Sequence, residues 1–95
     1  MYGTIAQLRV KSGMEEQFSL YAQKIQEKDP GEVAFYVYRM DVDPSIFYLV
    51  TIFESKEAYV ANADSPETDV SYLHMRAYLD GEPEWHDGEI VFALT

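Results

Sequence analysis

The chain has 95 residues, 47% hydrophobic and 15% aromatic, a composition that specifies a globular domain and excludes a disordered segment. Seven Lys and Arg against 17 Asp and Glu leave a formal charge of -10, which excludes a phosphate-binding or anionic-lipid-binding surface; no nucleic-acid or membrane partner is expected. Cysteine is absent, so disulfides, thiolate nucleophiles and Cys-ligated metal or iron–sulfur centres are excluded, and a cytoplasmic location is expected.

The opening Met1-Tyr2-Gly3-Thr4 lacks the basic segment and long apolar run of a signal peptide, and no apolar stretch reaches membrane-spanning length. Residues 2–10 alternate as a strand, with Tyr2, Thr4, Ala6, Leu8 and Val10 on one face and Ile5, Gln7 and Arg9 on the other. Ser12-Gly13-Met14-Glu15 has the spacing of a capping box. Met14, Phe18, Tyr21 and Ile25 then form one helical stripe, predicted to end near Lys28 because Asp29-Pro30-Gly31 cannot continue it.

Two strands follow, joined through Val42-Asp43-Pro44-Ser45, a connection short enough to force an antiparallel hairpin. Both strands are apolar on both parities: Val33, Phe35 and Val37 against Ala34, Tyr36, Tyr38 and Met40, then Phe47, Leu49 and Phe53 against Ile46, Tyr48, Val50 and Ile52. A sheet covered by helices on one side only should alternate apolar and polar residues. A chain of this length has too few helices to cover both faces, so a homodimer is expected, with the second face packed on a second copy.

Ser55 is the expected N-cap of the next helix. Ser65-Pro66 opens another, with the cap at Ser65 and proline at the first helical position, and Asp80-Gly81 ends it. Trp85 to Leu94 reads as a last strand. No linker, repeat or low-complexity tract interrupts the chain, so residues 1–95 are read as one domain. The order strand, helix, strand, strand, helix pair, strand specifies an α+β, ferredoxin-like split βαβ fold with an antiparallel four-stranded sheet.

Several of these segments carry a family resemblance. They are Ser12-Gly13-Met14-Glu15, Pro30-Gly31 with Phe35-Tyr36-Val37-Tyr38-Arg39, Phe47 through Ser55, Ser65-Pro66-Glu67, and above all Phe53-Glu54-Ser55-Lys56-Glu57-Ala58. Together they resemble the antibiotic biosynthesis monooxygenase domain, a branch of the dimeric α+β barrel superfamily. The resemblance implies a homodimer with a pocket between sheet and helices. It also implies oxidation of a quinol, polyphenol or similar small aromatic substrate by dioxygen, without metal, flavin or haem. In such chemistry the protein stabilises a phenolate-like anion that reduces dioxygen and is then oxygenated. The family's Trp at the end of the third strand is Phe53 here. The haem-degrading branch uses an Asn in the first strand, a Trp on the helix after the hairpin and a His on the next. Those positions fall on Ala6, near Asn62 and near His74, so haem cleavage is disfavoured.

Within that frame the expected catalytic donors are Asn62 and Tyr72, which stand either side of the Ser65-Pro66 break. The expected substrate-binding residues are Phe53, Tyr59, Met75, Arg76 and Leu79. Arg39 and Arg76 are scarce cations in an acidic chain, and ion pairs with neighbouring carboxylates are their expected use. His74 and His86 lack metal-ligand spacing, and no glycine-rich phosphate loop is present. No cofactor or metal is therefore expected. A non-catalytic, dimeric small-ligand-binding or regulatory module of the same fold is the alternative reading.

Overall fold

A computed structural model describes residues 1–95. Strands β1 (Tyr2–Arg9), β2 (Glu32–Arg39), β3 (Ile46–Phe53) and β4 (Glu84–Glu89) form one antiparallel sheet in the order β2-β3-β1-β4. Helix α1 (Glu15–Gln23) links β1 to β2, while α2 (Lys56–Ala63) and α3 (Pro66–Arg76) link β3 to β4. This is the ferredoxin-like α+β fold expected from the element order.

Cross-strand register explains which parity is buried. Leu8 pairs with Phe47, Ala6 with Leu49 and Tyr2 with Phe53, so these residues share the helix-covered face. Ala6, Leu8, Val10, Phe47 and Leu49 form the core with Phe18 of α1, Met75 of α3 and Leu79. Burying each large side chain contributes roughly 1.5–3 kcal/mol. Phe18 meets Phe47 edge-on, with centroids 4.9 Å apart.

The opposite face has no helix over it. Ile5, Tyr36 and Tyr38 remain 51%, 53% and 52% exposed there. Tyr38 pairs with Tyr48, and Tyr36 with Val50, so these side chains point the same way across the hairpin.

The turns follow the sequence signals in part. Ser55 Oγ accepts from the Ala58 N–H at 3.1 Å and Ser65 Oγ from the Thr68 N–H at 3.2 Å, so both expected caps form. Asp43 Oδ1 accepts from both the N–H and the hydroxyl of Ser45, which fixes the hairpin and holds the Asp43 carboxyl below its ordinary range.

Ser12, however, does not cap α1. Residues 11–14 form a turn closed by Met14 N–H to Lys11 O, with Gly13 at φ +87, and the helix begins without a side-chain cap. Helix α1 also stops at Gln23, short of Lys28. Its last N–H groups turn to carbonyls three residues back, and Ile25 has a cavity beneath it instead of core.

Strand β4 ends at Glu89, not Leu94. Its partner β1 begins at Tyr2, opposite Glu89, so only the Met1 carbonyl remains, and it accepts from the Ile90 N–H. Val91, Phe92 and Leu94 beyond are exposed.

Candidate functional site

A cavity of about 680 Å³ lies between the helix-facing side of the sheet and all three helices. Its walls are mostly apolar: Phe18 and Tyr21 from α1, Phe35, Leu49 and Phe53 from the sheet, Met75 from α3. That volume admits a two- or three-ring arene.

Four cross-strand partners form a row along the cavity floor. Phe35 pairs with Thr51, Thr51 with Thr4, and Thr4 with Asp87, and all four line the cavity. The row turns polar toward β4. The Thr51 hydroxyl donates to Glu32 Oε2, and the Tyr59 phenol donates to Asp87 Oδ1 at 2.9 Å. Burial pushes the Tyr59 phenol up to about 12; the bond to Asp87 and its charge add to this, and the nearby Thr4 hydroxyl acts the other way. Thr4 itself is 3% exposed, and its Oγ1 makes no hydrogen bond.

The structure brings most of the sequence-predicted site residues to this cavity. Asn62, Tyr72, Phe53, Tyr59 and Met75 all line it. Asn62 Oδ1 accepts from the Thr68 hydroxyl at 3.2 Å, which leaves the amide NH2 as the free donor. The Tyr72 ring stacks obliquely on Trp85, while its hydroxyl donates to Glu82, which also faces Arg76 Nε at 3.4 Å. This hydrogen bond holds the Tyr72 phenol above its ordinary range and the Glu82 carboxyl below its own, with Arg76 adding to the latter.

Arg76 and Leu79 do not line the cavity. Arg76 is held by Glu82 and by the Leu79 carbonyl, and Leu79 is core. Arg39 pairs with Glu16 at 2.6 Å, as an acidic composition favours. His74 is exposed on α3, and His86 sits beside Glu84 at 3.0 Å on the helix-free side of the sheet, opposite Ile5. Neither lines the cavity, and no three His, Cys, Asp or Glu side chains converge to hold a metal ion.

Sequence reasoning missed Thr4, Glu32, Thr51 and Asp87. One signal was available: Thr4 and Thr51 are polar residues within otherwise apolar strand parities, where a buried hydroxyl needs a reason.

The sequence profile of the family described as antibiotic biosynthesis monooxygenase matches residues 1–69. The chain belongs to this family. Solved structures agree with the family fold. A candidate antibiotic biosynthesis monooxygenase from Nitrosomonas europaea superposes with a TM-score of 0.79 at 19% identity, covering 97% of this chain and 100% of that one. A second, from Chloroflexus aurantiacus J-10-fl, gives 0.80 at 19% identity, covering 99% and 96%. A mutant of MhuD with two manganese protoporphyrin IX molecules bound per active site gives 0.71 at 25% identity, covering 100% and 99%. No curated protein matches the sequence. At these identities the antibiotic biosynthesis monooxygenase family member shares the fold of the solved structures, and its chemistry has to be argued from its own cavity.

Proposed function

We propose that this protein is a cofactor-independent monooxygenase acting on a quinol, polyphenol or similar aromatic substrate. The observation that carries the reading is the apolar cavity with the Asn62 amide as a free donor at its wall. Such a site holds a flat arene, excludes much of the water, and strengthens a hydrogen bond to a developing phenolate oxygen. Oxygenation of a phenol to a quinone balances without an external reductant. One ring C–H becomes C=O with one oxygen atom of dioxygen, the other oxygen leaves as water, and the substrate supplies all four electrons. Asn62 stabilises the phenolate; Tyr72 forms wall through its ring, and its hydroxyl reaches substrate only by leaving Glu82.

A porphyrin substrate fits less well. No imidazole lines the cavity, Ala6 occupies the first-strand position, and the carboxylates of its lining oppose propionates. The engaged Tyr72 hydroxyl favours the second reading, a non-catalytic binding module of the same fold. Both readings include a homodimer formed through the helix-free sheet face, supported by exposed Ile5, Tyr36 and Tyr38 and by the exposed apolar residues Val91, Phe92 and Leu94. The test is oxygen uptake and quinone absorbance with dihydroxynaphthalenes and anthrones. Uptake that depends on Asn62 supports the monooxygenase; saturable binding without uptake supports the module.

A further inference from the structure

The cavity has one fully buried polar side-chain atom without a partner and one sign of charge. Thr4 Oγ1 is buried, lines the cavity floor and has no partner within hydrogen-bond distance, although its hydroxyl lies near enough to the Tyr59 phenol to oppose the rise in that group's pKa. None of its neighbours in the same row lies within hydrogen-bond distance of it. The Thr51 hydroxyl is given to Glu32, and the Asp87 carboxylate receives the Tyr59 proton. A buried hydroxyl without a partner destabilises the empty protein, and a valine of the same shape would not. Thr4 is therefore a group whose partner arrives with a ligand.

The charged lining residues are Glu27, Asp29, Glu32, Asp69 and Asp87, and no Lys, Arg or His joins them. Of the three arginines, Arg39 and Arg76 are tied to Glu16 and Glu82, and Arg9, at the end of β1, is exposed and does not line the cavity. A ligand that enters as a carboxylate or phosphate would lose hydration against carboxylates, with no cation to replace it, whereas the phenolate of turnover forms only after a neutral ligand has entered and has its oxygen at the Asn62 amide. A hydroxyl, in contrast, both donates and accepts, and so matches Thr4 Oγ1.

Deepening the monooxygenase reading on which it rests, we propose that Thr4 is the inner polar anchor of the cavity and that the ligand class is an uncharged or cationic hydroxyarene, with carboxylated arenes rejected. Thr4 is a specificity-determining residue: its hydroxyl meets a ligand hydroxyl at the floor, and the carboxylates of Glu32 and Asp87 set the charge that the ligand is allowed.

Trp85, the chain's single tryptophan, lines the cavity and reports occupancy by fluorescence. Under anaerobic conditions at pH 7, 1,4-dihydroxynaphthalene is expected to quench Trp85 and to bind at least about tenfold more tightly than 1,4-dihydroxy-2-naphthoate. Thr4→Val should weaken the neutral probe by about tenfold while raising the melting temperature of the unliganded protein. Thr4→Ser, which keeps the hydroxyl, should retain affinity, and it carries the test if the valine variant does not fold. Glu32→Gln should narrow the preference against the carboxylated probe.

Equal affinity of the wild type for both probes overturns the proposal, as does unchanged affinity in Thr4→Val, loss of affinity in Thr4→Ser equal to that in Thr4→Val, or no binding of the neutral probe. Selective, Thr4-dependent binding without oxygen uptake upholds the anchor and removes the oxygenase. Oxygen uptake with equal affinity for both probes removes the anchor and upholds the oxygenase.

Discussion

The Tyr59 phenol reaches from α2 to Asp87 on β4, donating to Oδ1 at 2.9 Å and tying the helix to the strand at the cavity wall. Tyr59 also packs against Phe53 and Tyr2, with ring centroids 5.6 and 5.3 Å away. An apolar clasp thus surrounds one polar bond, which makes the phenol hard to ionise.

The alkaline consequence has a definite sign. The folded-state pKa of Tyr59 is raised from 10.0 to about 12 by burial and by Asp87. Between those values the unfolded chain has released the proton and the folded one still holds it. The stability linked to this group is therefore fully present below about pH 10 and is lost as pH rises toward about 12. Urea midpoints measured from pH 8 to 11.5 should fall over this window. Tyr59→Phe should flatten the fall, leaving the residual slope of Tyr21 and Tyr72, whose phenols are also raised. An unchanged slope in the variant would show that Tyr59 ionises as an open phenol does.

Asn62 and Tyr72 should separate in a rate assay. The Asn62 amide nitrogen is free, whereas the Tyr72 hydroxyl is given to Glu82. With an accepted dihydroxyarene, Asn62→Ala should slow oxygen uptake roughly ten- to a thousandfold, the loss expected for one positioned donor. Tyr72→Phe should cost less than about tenfold, because the ring remains and the lost bond lies outside the cavity. Oxygen uptake by both variants at the wild-type rate removes the site assignment. A larger loss in Tyr72→Phe than in Asn62→Ala would mean that the phenol leaves Glu82 during turnover.

The fold was legible because strand parity is a local signal. Phe47, Leu49 and Phe53 fall on one face whatever their partners, and Ser55 and Ser65 cap through neighbours three residues away. The cavity lining was legible at Phe53 on β3 and, on the helices, at Tyr59, Asn62, Tyr72 and Met75. Its floor depends on register: Asp87 reaches Thr4 only because β4 pairs with β1 residue by residue from Tyr2↔Glu89. Glu32 precedes an irregularity between Glu32 and Ala34, which puts exposed Val33 outside the regular pairing and lets the Glu32 carboxylate meet Thr51. No periodicity announces such a shift. Arg76 and Leu79 were drawn into the expected site by helical spacing, but α3 ends at Arg76, and Leu79 instead pairs with Val10 in the core.

The helix-free sheet face carries a prediction about association. Ile5 and Tyr36 lie in one cross-strand row through Val50, each about half-exposed. Sedimentation at micromolar concentration should give a dimer. Ile5→Lys together with Tyr36→Lys should give a monomer with unchanged circular dichroism. Each subunit carries a formal charge of -10, so association should tighten as salt rises from about 0.01 M to about 0.15 M and the screening length falls from about 30 Å to about 8 Å. A stable wild-type monomer across that range would remove the dimer and leave the sheet face open.

Gly3 supplies the most local structural test. A Cβ built there would lie 1.9 Å from the Thr51 carbonyl oxygen, and the neighbouring obstacles are also backbone. No side-chain rotation relieves such a clash, so β1 and β3 must move apart. The strands that would shift are those carrying Thr4 and Thr51, and the paired register continues from Gly3↔Ile52 directly into Thr4↔Thr51. Gly3→Ala should therefore destabilise the protein by about 3 kcal/mol, in the range of strained overpacking changes. It should also weaken binding of 1,4-dihydroxynaphthalene, although Gly3 itself does not line the cavity. Gly88→Ala is the matched control on the neighbouring strand. Gly88 pairs with Gly3, but a Cβ there meets nothing within 4 Å. Chemical denaturation of the two variants should show a large loss for the first and less than about 1 kcal/mol for the second. Equal losses would mean that strand propensity, not the contact with Thr51, sets the requirement for glycine at position 3.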